Sequence, residues 1–335
     1  MKKIAIVILN WNGAALLERF LPSVINHSKE LANIYVADNG STDVSIHVLE
    51  TQFPSVKIIA LQDNFGFAGG YNKALEYVEE PLLCLMNSDI ATSENWLLPM
   101  ISAFEQDRTL AIAQPKIIDE LHKNMFEYAG AAGGYLDRFG YPYCRGRIFQ
   151  SIEEDSGQYN DQKDIFWASG ACLFIRNSIF KDLKGFDTDY FAHQEEIDLC
   201  WRAQNQGHQI KYIGNSKVYH LGGSTLSNMN PMKTYLNFRN SLFSLLKNLP
   251  LSQSVFLIFS RLMLDGIAGV RFICQGNFKH CLAIIHAHFS FYRKAYSMYK
   301  KNNRAISPHK YYHSFSIVWL HYIKGIKKFS LLVKD

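Results

Sequence analysis

Short apolar runs alternate with amphipathic segments along the first 115 residues of this 335-residue chain. The amphipathic segments have helical periodicity, and the apolar runs that are typical of strands lie at residues 4–9, 34–38, 57–62, 82–86 and 110–114. This alternation predicts an α/β fold in which a mostly parallel sheet is flanked by helices. The sheet should be buried on both faces, because the run at residues 82–86 is apolar throughout.

Polar segments accompany the ends of four of these predicted strands. They occupy residues 10–13, 38–41, 64–70 and 87–89. The carboxyl ends of parallel strands meet at one edge of a sheet, which is where α/β proteins bind their ligands. We therefore expect the four segments to form a single site.

The net charge of +5 conceals two unlike regions. Residues 1–240 contain 21 Lys and Arg against 28 Asp and Glu, a balance of −7, whereas residues 241–335 contain 14 against 2, a balance of +12. The asymmetry predicts an acidic globular domain, residues 1–240, joined to a basic region, residues 241–335, that meets an anionic partner. Nucleic acid is not the expected partner, because the first domain is acidic and the basic region contains no known RNA-binding module.

The basic region has a helical, amphipathic and aromatic pattern. Its three uncharged windows, residues 248–260, 280–292 and 311–323, are each bounded by Lys or Arg. They are shorter than the roughly 18–20 apolar residues that span a bilayer. Their composition suits helices lying in the interface of an anionic membrane surface. The alternative is an ordinary helical subdomain with a basic face.

The six cysteines indicate a reducing compartment. They are scattered and none forms a CxxC pair, so neither a zinc site nor a disulfide framework is suggested. The apolar run that follows the first three residues ends at Asn10, which is short for a signal peptide. We expect a cytoplasmic protein that is peripheral on the inner face of the cytoplasmic membrane.

Two acidic segments suggest catalytic chemistry. Asn87-Ser88-Asp89 follows the buried strand at residues 82–86, where a carboxylate can hold a divalent cation on phosphate oxygens, although Asp is also common in turns. Residues 194–198 place three carboxylates at a helix start, which the helix dipole favours. Crowding by like charges also raises the pKa of a carboxylate usefully for a general base.

A Gly-rich turn at residues 64–72 leads into a helix predicted at residues 71–80, and its backbone amides can approach a nucleotide. It is not a phosphate loop, because no Gly-Lys-Ser/Thr follows. The first strand lacks the dinucleotide fingerprint after it, which disfavours a nicotinamide dehydrogenase. His220 follows another short apolar run, and it is structural unless it partners the other segments.

Seven segments occur in an order that resembles the family 2 glycosyltransferases: Asn10-Trp11-Asn12, Asp38-Asn39-Gly40-Ser41-Thr42-Asp43, Asn64-x-Gly66-Phe67-Ala68-Gly69-Gly70-x-Asn72, Asn87-Ser88-Asp89, Gly185-Phe186-Asp187, Glu195-Glu196-Ile197-Asp198-Leu199-Cys200-Trp201-Arg202 and His220. The resemblance covers residues 3–245 and is closest to the rhamnosyltransferase-like branch that builds bacterial surface polysaccharides. It implies a GT-A fold and an inverting transfer of one sugar, with rhamnose favoured, from a nucleotide-sugar donor. No Gln-x-x-Arg-Trp follows the acidic helix, so the transfer is expected to be non-processive.

The resemblance also implies roles for individual residues. Asp38 reads the nucleobase of a dTDP- or UDP-sugar, and the residues implied in donor binding are Asn10, Asn12, Asp38, Asn64, Gly66, Asn72, Asn87 and Ser88. Asp89 binds Mg²⁺ or Mn²⁺ on the diphosphate, and His220 resembles a second ligand of the same ion. Glu196 lies where the family usually has an Asp base, and Glu195 beside it leaves the choice of base open.

On the acceptor side, the resemblance implies a glycan or a lipid-diphosphate-linked acceptor. Trp167, Tyr190 and His193 form a platform for its sugar or belong to the core, and Asp198 and Arg202 support the helix or the acceptor site. Tyr235 with Arg239-Asn240 resembles a family motif that acts as a hinge, a contact to lipid diphosphate or packing. Because Asn87 and Glu196 depart from the usual family residues, the alternative is a non-catalytic sugar-nucleotide or glycan-binding relative.

Overall fold

The computed structural model describes residues 2–222, 230–301 and 310–332. Its strands are β1 (Ile4–Asn10), β2 (Ala32–Asn39), β3 (Lys57–Leu61), β4 (Leu82–Asn87), β5 (Ile90–Thr92), β6 (Leu110–Asp119), β7 (Gly134–Leu136), β8 (Pro142–Cys144), β9 (Arg147–Ile148), β10 (Ser151–Ile152), β11 (Gln162–Asp164), β12 (Cys172–Arg176) and β13 (Gln209–His220). Its helices are α1 (Ala14–Ser28), α2 (Ser45–Gln52), α3 (Gly66–Ala74), α4 (Leu97–Gln106), α5 (Asn177–Asp182), α6 (Glu195–Asn205), α7 (Pro231–Asn248), α8 (Leu251–Cys274), α9 (Phe278–Lys300) and α10 (Ile317–Tyr322). Short 3₁₀ turns lie at Leu75–Tyr77, Thr188–Tyr190 and Phe329–Leu331.

The predicted α/β fold is confirmed, with a mixed main sheet. Its strand order is β11-β13-β6-β12-β4-β1-β2-β3, and β5 pairs with β13. The half formed by β4, β1, β2 and β3 is parallel, as the alternation predicted. Beyond it, β12 runs antiparallel to both β4 and β6, and β6 is parallel to β13. A smaller antiparallel sheet, β10-β9-β8-β7, covers part of one face.

Alternate residues of β1 belong to two hydrophobic cores, one on each face of the sheet. Ile4, Ile6 and Ile8 pack with the buried side chains of α1 and α4. Ala5 and Val7 pack in the other core with α3, α6 and the smaller sheet. Because successive side chains of a strand point to opposite faces, a run without polar residues must be covered on both sides.

Helix α3 begins at Gly66, five residues before the predicted start. The side-chain oxygen of Asn64 accepts a hydrogen bond from the amide of Gly66 (2.9 Å), which fixes the entry into the helix. A Cβ at Gly70 would come within 2.9 Å of Leu9, so the glycines allow α3 to lie close against the sheet. The sequence pattern predicted a loop there because glycine is a poor helix former, whereas close packing decided the outcome.

The C-terminal helices are integral to the second core. Helix α7 runs through residue 240, where the change in charge placed the domain boundary, and its residues Leu242, Phe243 and Leu245 are fully buried. Helices α8 and α9 add Leu257 and Phe291 to the same core. Among the described residues, no helix has the length and apolar character needed to cross a membrane.

Candidate active site

The carboxyl ends of β1 and β2 hold a buried polar pair. Asn10 lies opposite Asp38 in the parallel register, and the Asn10 amide donates to Asp38 Oδ2 (3.0 Å). Asp38 Oδ1 accepts from the backbone amide of Ser41 (2.9 Å), so the carboxylate also shapes the turn after β2. Both side chains are almost inaccessible to solvent, and Asn10 Oδ1 has no partner among the described residues. The edge of the sheet thus presents a preorganised carboxylate.

Two neighbouring turns complete this edge. Asn12 has a positive φ of 50°, and its side-chain oxygen accepts from the amide of Thr42 (2.8 Å), which joins the turn after β1 to the turn after β2. Asn39 at the end of β2 donates to Asn64 Oδ1 (3.0 Å) and to the carbonyl of Gly66 (3.1 Å). The predicted segments therefore meet in space, held by side-chain amides.

Asn72 has both ends of its amide committed to the backbone of Phe186. It donates to the carbonyl (2.8 Å) and accepts from the amide (2.9 Å). A Cβ at Gly185, which has a φ of 67°, would come within 2.4 Å of Asn72 Oδ1. Asn72 and Gly185 thus attach the loop before α6 to α3, so the amide of Asn72, implied in donor binding, is engaged by this loop.

Asp89 and His220 meet at the end of the fourth predicted strand. Strand β13 continues seven residues past its predicted end at residue 213 and so carries His220 to this edge. His220 Nε2 lies 3.1 Å from Asp89 Oδ1, and the other ring nitrogen, Nδ1, lies 3.2 Å from Glu127 Oε1. Burial alone would lower the pKa of His220, but Glu127 and Asp89 outweigh it and raise the pKa to about 10.

Asn87 and Ser88 lie between the two halves of the site. The Asn87 amide nitrogen is 3.4 Å from His220 Nε2, and Asn87 and Ser88 are both partly exposed. A Cβ added at Gly13 would lie 3.8 Å from Ser88 Oγ, which places Ser88 beside the turn after β1. Both side chains can therefore contact a ligand that spans from Asp38 to Asp89.

Glu195 and Glu196 open helix α6 in a largely dehydrated environment. Burial raises the pKa of Glu196 to about 7. Burial and the neighbouring Glu196 raise the pKa of Glu195 well above its usual value. Each residue has one carboxylate oxygen without a hydrogen-bond partner among the described residues. Glu195 is buried and Glu196 is partly exposed, so Glu196 is the more accessible of the two to an incoming hydroxyl.

The loop that leads into α6 has a strained backbone. Phe191, His193 and Gln194 have φ values of 66°, 66° and 68°, which side chains with a Cβ rarely adopt. Such a conformation persists only where its surroundings impose it. Phe191 packs at the start of α3, where a Cβ at Gly66 would be 3.3 Å from its ring.

Helix α7 imposes this conformation through two adjacent residues. The Asn240 amide donates to the carbonyls of Ala192 (2.9 Å) and His193 (2.7 Å), and Tyr190 O lies within 3.1 Å of the same nitrogen. Arg239 donates to the carbonyls of Asp189 (3.1 Å) and Tyr190. Arg239 and Asn240, for which a hinge, a contact to lipid diphosphate and packing were open, thus hold the loop before α6 in place as a clamp.

Ion pairs fix the same loop from α7 and α9. Lys247 on α7 bridges Asp187 and Asp198, at 2.8 Å from each carboxylate. Lys301, directly after α9, lies 2.6 Å from both Asp187 and Asp189. These contacts join the C-terminal helices to the loop before α6.

Several residues implied in acceptor binding lie in the core instead. Trp167 is 3% exposed, and its indole nitrogen donates to the carbonyl of Tyr135 (3.1 Å). Asp198 is fully buried and paired with Arg202 (2.8 Å). Tyr190, also fully buried, directs its hydroxyl to Asp198 (3.3 Å). His193 is the one of these residues that remains partly exposed beside the acidic helix start, and burial lowers its pKa to about 4.

Glu127 was not predicted from the sequence. It lies in the Gly- and Tyr-rich segment at residues 116–165, where a single acidic residue has no local pattern that marks it. Only the contact to His220 Nδ1 gives it a place in the site.

The mixed α/β sheet flanked by helices, with polar side chains gathered at its strand ends, is the fold of the GT-A glycosyltransferases. The sequence matches the model of glycosyl transferase family 2 over residues 5–184, and the chain belongs to that family. It is a glycosyltransferase.

Individual relatives are distant but cover most of the chain. The chain is 21% identical over 229 residues to an N-acetylglucosaminyl-diphospho-decaprenol L-rhamnosyltransferase of Mycobacterium tuberculosis, a match that spans 64% of this chain and 75% of that protein. Residues 1–349 of S. aureus TarS in complex with UDP-GlcNAc superpose with a TM-score of 0.56 at 15% identity, covering 92% of this chain and 90% of that one.

A second solved structure supports the same fold. GalNAc-T7 with UDP, GalNAc and Mn²⁺ superposes with a TM-score of 0.57 at 15% identity, covering 73% of this chain. The match spans about half of the GalNAc-T7 chain, 48%. At these identities the structural likeness concerns the fold.

Proposed function

We propose that the protein is an inverting, non-processive glycosyltransferase that moves one sugar from a nucleotide-sugar donor to a glycan or lipid-linked acceptor in surface polysaccharide synthesis. The observation that carries this proposal is the convergence of Asp38, Asp89 and His220 at neighbouring strand ends. A nucleoside at Asp38 and a diphosphate at Asp89 would extend along this edge, with Asn10, Asn87 and Ser88 beside them.

The donor atoms at Asp89 and His220 fit a divalent cation, Mg²⁺ or Mn²⁺. Asp89 Oδ1 and His220 Nε2 lie 3.1 Å apart, and Glu127 Oε1 lies 3.2 Å from the far ring nitrogen of His220, where a carboxylate can orient a histidine ligand of a metal. Hard cations bind through one or two such side chains together with substrate phosphates. When bound, the cation would offset the charge that develops on the departing diphosphate. The Mn²⁺ in the GalNAc-T7 structure supports this reading.

Glu196 is proposed as the general base and Glu195 as its positioning neighbour. A carboxylate with a pKa of about 7 can take the proton of an acceptor hydroxyl near neutral pH. The hydroxyl oxygen then attacks the anomeric carbon on the face opposite the diphosphate, the bond to the diphosphate breaks, and the configuration inverts. Burial and the neighbouring Glu196 raise the pKa of Glu195, which disfavours two charges on the pair.

Rhamnose is the favoured sugar, with dTDP or UDP as the carrier. Support comes from the mycobacterial relative, whose name specifies L-rhamnosyl transfer to a diphospho-decaprenol acceptor. The TarS and GalNAc-T7 structures contain UDP-GlcNAc and UDP, respectively.

An exposed apolar face on α8 and α9 supports docking at an anionic membrane. On α9 the exposed residues recur every three or four positions, as Phe278, Leu282, Ile285, Phe289, Tyr292 and Tyr296. On α8 the usual arrangement is inverted, since Phe259 is 62% exposed whereas Arg261 and Asp265 are buried as an ion pair. A large exposed apolar surface marks an interaction site, and the charge of +12 in residues 241–335 favours anionic lipid as its partner. We propose a cytoplasmic enzyme, peripheral on the inner face of the cytoplasmic membrane.

A donor panel tests the proposed activity. Purified protein is incubated with dTDP-, UDP- and GDP-sugars and a lipid-diphosphate-linked acceptor, with Mn²⁺ or with EDTA, and the product is scored by mass spectrometry. Transfer that requires the cation is the expected result. Nucleotide-sugar binding without turnover across the panel would instead support the non-catalytic alternative.

A further inference from the structure

Arg147 differs from the other buried arginines in what its guanidinium contacts. Arg145, Arg202 and Arg261 each pair with a carboxylate, and Arg239 donates to two backbone carbonyls. Arg147 is 6% exposed and, among the described residues, has no carboxylate within ion-pairing distance.

The contacts that Arg147 does make are weak ones. Nη2 lies 3.3 Å from the thiol of Cys144, Nη1 lies 3.5 Å from the carbonyl of Phe149, and Nε has no partner in the described parts of the chain. A buried charge without a directly paired counter-charge is costly, and a bound anion would offset that cost.

A second cation faces the same aromatic ring. The Arg147 guanidinium lies 4.6 Å from the centre of the Tyr128 ring, and Lys233 Nζ lies 5.5 Å from it. Lys233 is in the first turn of α7, and Arg147 is in β9, so two distant segments of chain converge on Tyr128. Two cations on one ring repel each other, and although the charge of Glu127 favours the charged form of both, a bound anion between them would lower that repulsion further.

The position of this cluster relative to the reaction centre is set by Glu127. Glu127 precedes Tyr128 in the chain and contacts His220 on the side away from Asp89. Burial raises the pKa of the Cys144 thiol next to Arg147, and the charges of Glu127 and Glu196 act in the same direction.

We propose that Arg147, Lys233 and Tyr128 form a phosphate-binding subsite on the acceptor side, which takes the diphosphate of a lipid-diphosphate-linked acceptor. The inference rests on the proposed transferase function and specifies the acceptor class. Arg147 offers several N–H donors to the phosphate oxygens, Lys233 adds a point charge, and Tyr128 holds both cations in place. An acceptor held there presents its sugar hydroxyl toward Glu196.

Inorganic pyrophosphate is the direct probe. Its binding to the full chain is measured by calorimetry in EDTA, without and with saturating UDP, for the wild type and for Arg147→Gln, Lys233→Gln and Arg145→Gln. Arg145 is as buried as Arg147 but paired with Asp161, so Arg145→Gln is the matched control. We expect the first two variants to weaken pyrophosphate binding at least about tenfold, with UDP present or absent, and the control to bind like the wild type. Lys233→Gln keeps the test valid if Arg147→Gln fails to fold.

Two results would overturn the subsite. One is pyrophosphate binding that is absent in the wild type or unchanged in both variants. The other is pyrophosphate that UDP displaces, together with weakened UDP binding in the variants, which would assign the phosphate contact to the donor. Turnover distinguishes this inference from the proposed function. If the Arg147 and Lys233 variants lose transfer to a diphosphate-linked acceptor but keep transfer to a neutral glycoside of the same sugar, the subsite is supported. If the wild type transfers no sugar at all but binds pyrophosphate through Arg147, only the transferase proposal is refuted.

Discussion

Replacing Asn240 tests whether the C-terminal helices position the catalytic loop. Its amide donates to the part-buried carbonyls of Ala192 and His193, so Asn240→Ala removes both hydrogen bonds at a cost of about 0.5–1.5 kcal/mol each. The three residues with positive φ in this loop store strain of about 1–3 kcal/mol each, which the clamp opposes. A loss of about 2 kcal/mol in the stability of the clamped conformation lowers the ratio of clamped to released loop about 30-fold.

We therefore expect kcat of Asn240→Ala to fall about 10- to 100-fold, with little change in donor affinity. The acid limb of the pH–rate profile should also move below pH 7, because a loosened loop rehydrates Glu196 and removes the burial that raises its pKa. Initial rates between pH 5 and 9, with the melting temperature of each variant, measure both effects.

Leu245→Ala is the matched control for this experiment. Leu245 is fully buried on the same helix but packs at Gly140, away from the loop, and its truncation should cost about 2–5 kcal/mol of global stability. The control should retain the wild-type pH profile and kcat below its melting temperature. If Asn240→Ala behaves like the control in both readouts, the clamp is merely structural and the reasoning fails.

Three further predictions concern the base, the cation and the membrane. Glu196→Gln should abolish transfer and spare UDP binding, and wild-type kcat should rise with pH through about 7. Only the folded protein holds the Glu196 proton between pH 4.5 and 7, so the free energy of unfolding should fall as the pH rises through that window. This fall should be smaller in Glu196→Gln. Glu127→Gln, which weakens the support of His220, should lower Mn²⁺ affinity about 10- to 100-fold with activity recovered at high Mn²⁺; a wild-type metal titration would contradict this. Phe259→Asp should release the protein from anionic liposomes in a flotation assay, whereas Leu121→Asp, at a similarly exposed side chain elsewhere, should not. If the wild type is instead a dimer that Phe259→Asp dissociates, a second copy of the chain covers the apolar face of α8 and α9.

The candidate donor site follows from sequence order and one topological rule. Asn10, Asp38 and Asp89 each follow an apolar run, and parallel strands bring such positions to one edge. Local pattern therefore predicted which residues meet there. It also predicted Glu195 and Glu196 at a helix start, because three carboxylates in four positions are visible without a structure.

Helices α7, α8 and α9 show the limit of local pattern. Charge counting separated residues 241–335 as an appendage, yet α7 crosses that boundary and fills the core with Leu242 and Phe243. The pattern of α8 and α9 predicted amphipathic helices, but which face is covered depends on packing against distant segments. Deleting the basic region would therefore remove part of the core as well as the apolar face.

The sequence by itself determined the strand–helix alternation, the polar strand ends and the acidic helix start, since each of these is written in neighbouring residues. The tertiary structure decided the rest. Glu127 became a partner of His220, Asn72 a support for the loop at Phe186, and Trp167 a core residue. The physical reason is that a side chain's role depends on which groups share its dehydrated surroundings, and those groups come from segments tens to hundreds of residues apart.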